Sequence, residues 1–238
     1  MIVLDGLDKT GKTTNAEALY KLYYPIALLV KLPDRTTEIG KMIDDFLKNK
    51  GKQTEHTMRL LFAANASERQ QDIKTALLEG KLVIVDRYVY SNVAYGNSRS
   101  SNIAYGSGRK FKASWLYSLY EGFVMPDATF HLEINEHAAL ERGQFAGAER
   151  YEKKEIQDPV KRNFEKISLL GDWPHIWKDI DSSDSKENVL AQLVTETKAV
   201  IDRCKHEPIK YIQSDDYDFD GFDDATGHVL CDGDGCKK

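Results

Sequence analysis

The sequence predicts an α/β fold in which a doubly wound, parallel, five-stranded sheet is covered by helices on both faces. Two observations carry this. Short, wholly apolar runs recur along the chain, as strands buried on both faces do, and stretches with helical apolar spacing separate them. The first run covers residues 1–4 and stops at Asp5-Gly6; residues 13–22 follow with Ala16, Leu19 and Leu22 at helical spacing. Residues 26–32 read as a second strand ended by Pro33, and 36–47 and 55–78 as helices, the latter stopped by Gly80. Residues 82–85 form the third strand, running into Asp86-Arg87-Tyr88, and 128–134 the fourth. A short helix at 136–142 leads into a Gly/Ala-rich span, 143–148. Helices at 159–170 and 186–203 flank a last strand at 175–180. Beyond Ile212 the chain turns to Asp and Gly, which marks a domain over 1–212, with a mobile lid near 142–152, and an acidic, flexible extension over 213–238.

The 238 residues carry a formal net charge of -5, which argues against a partner that is a nucleic-acid backbone. Three cysteines make no disulfide framework, and no run reaches the ~20 apolar residues that span a bilayer. The opening residues carry no basic, apolar leader pattern. A soluble protein of the cytoplasm, without nucleic acid or membrane as partner, is expected (the host cytoplasm if the source is a virus).

Gly6-Leu7-Asp8-Lys9-Thr10-Gly11-Lys12-Thr13 matches GxxxxGK(S/T) between a buried strand and a helix. The glycines let backbone N–H groups curl around phosphate oxygens, and the helix N-terminus adds its dipole. Lys12 would reach the β- and γ-phosphates of ATP and Thr13 would hold Mg²⁺. Asp86, ending a core strand, is a second candidate ligand for the metal. Asn49-Lys50-Gly51-Lys52 lacks the Asp that a guanine-reading element needs, so a GTPase switch is disfavoured. Lys9, Lys12, Arg35, Arg87 and the lid arginines Arg142 and Arg150 supply positive charge from four segments, which is what transfer between two polyanions requires.

Five ordered motifs then resemble thymidylate (dTMP) kinases of the eukaryotic and large-DNA-virus branch, within the P-loop NTPases. They are residues 5–14, residues 33–40, residues 60–65, Asp86-Arg87-Tyr88 with Ser91 and Val93-Ala94-Tyr95, and Arg142-Gly143 with residues 149–152. The resemblance implies ATP-dependent phosphorylation of dTMP to dTDP with Mg²⁺, by a homodimer. It implies that Asp8 touches the acceptor's 3′-hydroxyl and that Lys9 lies beside the γ-phosphate. Arg35 would hold the monophosphate, Arg87 would bridge it to ATP, Phe62 would stack on the base and Tyr95 would pack on the deoxyribose. Thr14 belongs with the phosphate loop, and Ser91, Asn92 and Tyr151 with the acceptor site. Glu149 and Glu152 read as solvated helix charges, and Trp115, Trp173 and Trp177 as packing residues.

Three positions depart from the family pattern: Ala66 stands where a base-reading Arg is usual, Leu32 where an aromatic precedes the proline, and Asn92 where a small residue is common. Arg69, one turn on, is the candidate to restore the lost contact. Three readings stay open: a dTMP kinase, the same chemistry on an altered base such as dUMP or 5-hydroxymethyl-dUMP, and a non-catalytic nucleotide-binding protein. A deoxynucleoside kinase is set apart by its acceptor, which lacks the phosphate that Arg35 and Arg87 call for. In the extension, residues 216–221 imitate half a calcium loop, but Gly227 stands where its bidentate Glu belongs, and Cys231, Cys236 and His228 fall short of a zinc site.

Overall fold

The computed structural model describes residues 1–98, 111–142, 149–170, 176–217, 219 and 222. Five parallel strands, β1 (Ile2–Gly6), β2 (Ala27–Lys31), β3 (Leu82–Asp86), β4 (Ala128–Glu133) and β5 (Ile176–Asp181), form one sheet in the order β2-β3-β1-β4-β5. β1 is buried along its whole length because it lies at the sheet's centre with helices on both faces. Strand order reverses about β1, so the crevice beyond its carboxyl end is where such a sheet receives ligands.

Nine helices are seen among the described residues. α1 (Lys12–Tyr23) follows β1 directly, α2 (Glu38–Leu47) follows β2, and α3 (Glu55–Ser67) and α4 (Gln70–Leu78) lead into β3. α5 (Val89–Gly96) and α6 (Ala113–Ser118) stand between β3 and β4, and α7 (Glu136–Glu141) follows β4. α8 (Lys154–Ser168) precedes β5 and α9 (Lys186–Cys204) follows it. Side-chain caps fix several starts: Thr37 accepts from Gly40 N at 3.0 Å, Asn135 from Ala138 N at 2.9 Å and Ser185 from Asn188 N at 3.2 Å.

The structure differs from the sequence reading in four places. The single helix expected over 55–78 is two. Asn65 and Glu68 turn their side chains onto the segment after β2, where Asn65 Nδ2 donates to Asp34 O at 3.1 Å and Thr37 Oγ1 donates to Glu68 at 2.8 Å. The helix expected at 159 starts at Lys154, so Pro159 lies inside it. α5 and α6 were not foreseen. The core does not end at Ile212 either: Tyr217 and Phe219 are buried against Tyr117, with ring centroids of Tyr117 and Tyr217 4.8 Å apart, and Phe222 is buried against Phe219. Phe222 O also accepts from Lys166 Nζ at 2.9 Å. The Gly/Ala span 143–148, Trp173, and Gly227, His228, Cys231 and Cys236 lie outside the described residues, as do three positions of the calcium-like segment. Trp115 and Trp177 pack as expected, Trp115 stacking on His56 at 4.9 Å.

Candidate active site

The site is assembled from the carboxyl ends of β2, β3 and β1. β1 and β3 pair with Leu4 opposite Asp86, and Arg87 N donates to Leu4 O at 2.9 Å, which sets the end of β3 against the phosphate loop. Gly6 has φ of 134°, and a Cβ there would lie 2.4 Å from Leu132 O, so glycine is required where the loop leaves the sheet. Lys9 and Gly11 also take positive φ, which curls the loop. Lys12 is buried and its Nζ donates to Leu7 O and, at 3.3 Å, to Thr10 Oγ1. Burial, with the nearby Arg87 charge, pushes the Lys12 ammonium down to about 8.

Behind the loop, Asp5 accepts from Gly6 N at 2.9 Å and from Ser91 N and Oγ at 3.1 and 2.5 Å. It ties the loop to α5, and burial outweighs these bonds to raise its carboxyl above the usual range. Sequence reading had given Asp5 no role of its own. Thr13 Oγ1 donates to Asp86 Oδ2 at 2.5 Å, while Asp86 Oδ1 is buried without a hydrogen-bond partner. A hydroxyl and an orphaned carboxylate oxygen, both hard donors beside a phosphate loop, fit a small divalent cation.

Asp8 is the hub of the acceptor side. Arg87 Nη2 bonds its carboxylate, Gln157 Nε2 donates to it at 2.8 Å and Tyr95 OH at 3.3 Å. Burial opposes ionisation of Asp8, but the Arg87 and Lys12 charges and these two bonds outweigh it, holding the carboxyl below its usual range. Gln157 also donates to Tyr95 OH at 3.1 Å and to Tyr151 O at 2.7 Å, so one amide positions three groups. It sits in the first turn of α8, and no local sequence signal marks it.

Two cavities meet here. A wide cleft of about 1030 Å³ is lined by Lys9 to Thr14, Asp86, Arg142, Arg69, Ser182 and Lys186 among others, large enough for a nucleoside triphosphate. A smaller pocket is lined by Phe62, Ala66, Ser91, Asn92, Tyr95, Tyr151 and Arg59. Asp8, Arg35 and Arg87 line both. Arg35 makes a two-pronged ion pair with Glu149 at 2.6 and 3.0 Å and a third bond to Asp44 at 2.7 Å. Glu149 therefore lies in the site rather than on a solvated helix, and Glu152 lies 3.9 Å from Lys9.

Two sequence expectations are corrected. Arg150 reaches neither cavity: its guanidinium lies 3.8 Å over the Phe46 ring and donates to Asn49 at 3.1 Å, which packs the returning lid segment onto α2. Arg69, expected near the base, lines the wide cleft instead. It lies in the break between α3 and α4, just before Gln70, and pairs with Asp34 at 3.5 Å and Asp72 at 3.3 Å. Arg142 lines the cleft, its Nη2 donating to Ser182 O at 2.7 Å.

A sequence-family model described as Thymidylate kinase matches residues 4–193. The thymidylate kinase of Danio rerio is 32% identical over 212 residues, covering 88% of this chain and 94% of that one. A relative in Invertebrate iridescent virus 6 is 34% identical over 184 residues, covering 76% of this chain and 81% of its own. The solved structure of thymidylate kinase from Candida albicans superposes with a TM-score of 0.74 at 31% identity, covering 89% of this chain and 97% of that one.

Proposed function

Because this chain belongs to the thymidylate kinase family, we propose that it transfers the γ-phosphoryl group of ATP to dTMP, giving dTDP and ADP, at the wall shared by its two cavities. The single observation that supports this placement is that Asp8, Arg35 and Arg87 line both the cleft of the phosphate loop and the smaller pocket. ATP then lies along residues 6–14, with Lys12 on its β- and γ-phosphates and Lys9 beside the γ-phosphate. Arg142 approaches from the lid side. dTMP enters the smaller pocket with its phosphate toward Arg35 and Arg87, its sugar against Tyr95 and Asp8, and its base over Phe62.

The acceptor phosphate is already ionised at neutral pH, so no general base is needed. Charge neutralisation and in-line positioning carry the reaction. An oxygen of the dTMP phosphate attacks the γ-phosphorus as the bond to the β–γ bridging oxygen breaks and ADP leaves. The planar fork of Arg87, anchored on Asp8 and Gly6 O, spans donor and acceptor oxygens. Thr13 and Asp86 would hold Mg²⁺, which when bound neutralises charge on the β- and γ-phosphates. Lys9, Lys12, Arg35, Arg87 and Arg142, gathered around the two cavities, count against the non-catalytic alternative. No described helix is long and apolar enough to cross a membrane. The same reading makes the protein a homodimer of the cytoplasm, acting on small molecules.

Purified protein with ATP and Mg²⁺ is expected to convert dTMP and to leave thymidine untouched, and chelation of the metal should stop turnover. Thymidine used as efficiently as dTMP would sink the assignment of Arg35 and Arg87 to an acceptor phosphate.

A further inference from the structure

Asn65 is fully buried in α3 and lines neither cavity, yet its one amide group bonds both backbone groups of Asp34, the residue before Arg35. We propose that Asn65 is a positioning residue for the transfer, fixing the backbone from which Arg35 reaches the acceptor phosphate. The inference rests on the monophosphate kinase reading above and deepens it.

The segment that carries Arg35 has no regular structure of its own. β2 ends at Lys31, and beyond Leu32, whose N donates to Asp86 O at 2.9 Å, the chain leaves the sheet. Pro33 has no N–H to give. Asp34 N then donates to Asn65 Oδ1 at 2.7 Å and Asn65 Nδ2 donates to Asp34 O at 3.1 Å, so the side-chain amide takes the part of a neighbouring strand. Nδ2 also reaches Thr37 Oγ1 and Glu68 Oε2, both at 3.0 Å, and Thr37 is the cap of α2. From the other side α2 packs on the same peptide: a Cβ at Gly40 would lie 1.8 Å from Asp34 O and 2.8 Å from Arg35 Cα. The root of Arg35 is therefore held between two helices, by close contact at Gly40 and by hydrogen bonds at Asn65.

The root matters because the contacts of the Arg35 side chain are ones that substrate must displace. Its Nη1 and Nη2 bond Glu149 at 2.6 and 3.0 Å, and Nη1 bonds Asp44 at 2.7 Å. An acceptor phosphate competes with Glu149 for the same fork, so that ion pair cannot aim Arg35 once the acceptor is bound. The aim then comes from the backbone, and a shift of about 1 Å there is enough to spoil a two-pronged contact. A buried asparagine can also satisfy backbone groups for the sake of the fold alone. The two roles part in the kinetics: loss of fold weakens donor and acceptor together, whereas a misplaced Arg35 weakens the acceptor.

Asn65→Ala is expected to raise KM for dTMP about tenfold or more, with KM for ATP within about twofold of the parent and kcat falling less than KM rises. Added to Arg35→Met, the same change should cost little more, because the residue it acts through is gone. An unchanged KM for dTMP, a KM for ATP that rises as far, or losses that multiply in the double variant would each overturn the proposal. Should Asn65→Ala fail to fold, Glu68→Ala decides: Glu68 is exposed, and its carboxylate accepts from both Asn65 Nδ2 and Thr37 Oγ1. KM for dTMP alone should then rise about threefold, as for one lost hydrogen bond, and unchanged values overturn the proposal. Should the parent turn over no monophosphate, the kinase reading fails. Calorimetric affinity for dTMP in the parent and in Asn65→Ala then decides, and equal affinities overturn the role of Asn65.

Discussion

Arg87→Met is expected to lower kcat/KM for dTMP about 10³-fold or more, with the urea midpoint moving far less than such a loss would suggest. The magnitude follows from what an arginine contributes when it neutralises charge across a phosphoryl transfer. Arg87 is the one described cation that bonds the acceptor-side hub, Asp8, and the loop carbonyl of Gly6, at 3.2 Å, from the wall shared by both cavities. Arg87→Lys should stay well below the parent, because a point charge cannot reproduce a two-pronged contact. Steady-state kinetics with dTMP and ATP varied separately checks this: the loss should fall on kcat as well as on KM for dTMP. A variant that retained kcat and lost only folding stability would show Arg87 to be a structural ion pair.

A chain ended after Gln213 is expected to lose several kcal/mol of stability, and Phe219→Ala alone about 3 kcal/mol, within the range for removing a buried phenylalanine. Tyr217, Phe219 and Phe222 are all buried in the core cluster that also contains Tyr117, and the Lys166 bond to Phe222 O would go with them. Equilibrium urea unfolding measures both. An unchanged midpoint for the shortened chain would mean that these rings cover the core without holding it.

That second expectation runs against the composition of the tail, and the reason is physical. Three aromatics scattered among aspartates have neither the alternation of a strand nor the stripe of a helix, so periodicity cannot reveal that they join the core cluster around Tyr117. The central strands were legible for the opposite reason: a parallel strand covered on both faces is apolar along its run, as Ile2–Leu4 of β1 and Leu82–Val85 of β3 are before each reaches the aspartate at its carboxyl end. The phosphate loop was legible because it is local, eight consecutive residues whose glycines have a geometric purpose at Gly6 and Gly11. α5 was hidden because it is buried almost all round, from Val89 and Tyr90 to Asn92–Gly96, so no polar face alternates with an apolar one to set up a helical period. Gln157 and Asp5 act across the fold, joining segments far apart in sequence, and Arg59 looks like an ordinary surface arginine until its burial is seen. Glu149 and Arg150 show the limit of reading neighbours together: adjacent residues of one turn face the site and the core respectively.

The most direct test of the central claim is transfer of label. Purified protein is mixed with ATP carrying ³²P in its γ-phosphate, Mg²⁺ and dTMP, quenched, and the nucleotides are separated. The shared wall of Asp8, Arg35 and Arg87 predicts that the label appears in dTDP, in proportion to ADP formed, and that little is released as inorganic phosphate. Label found only in inorganic phosphate, or retained in ATP while dTMP persists, would contradict it.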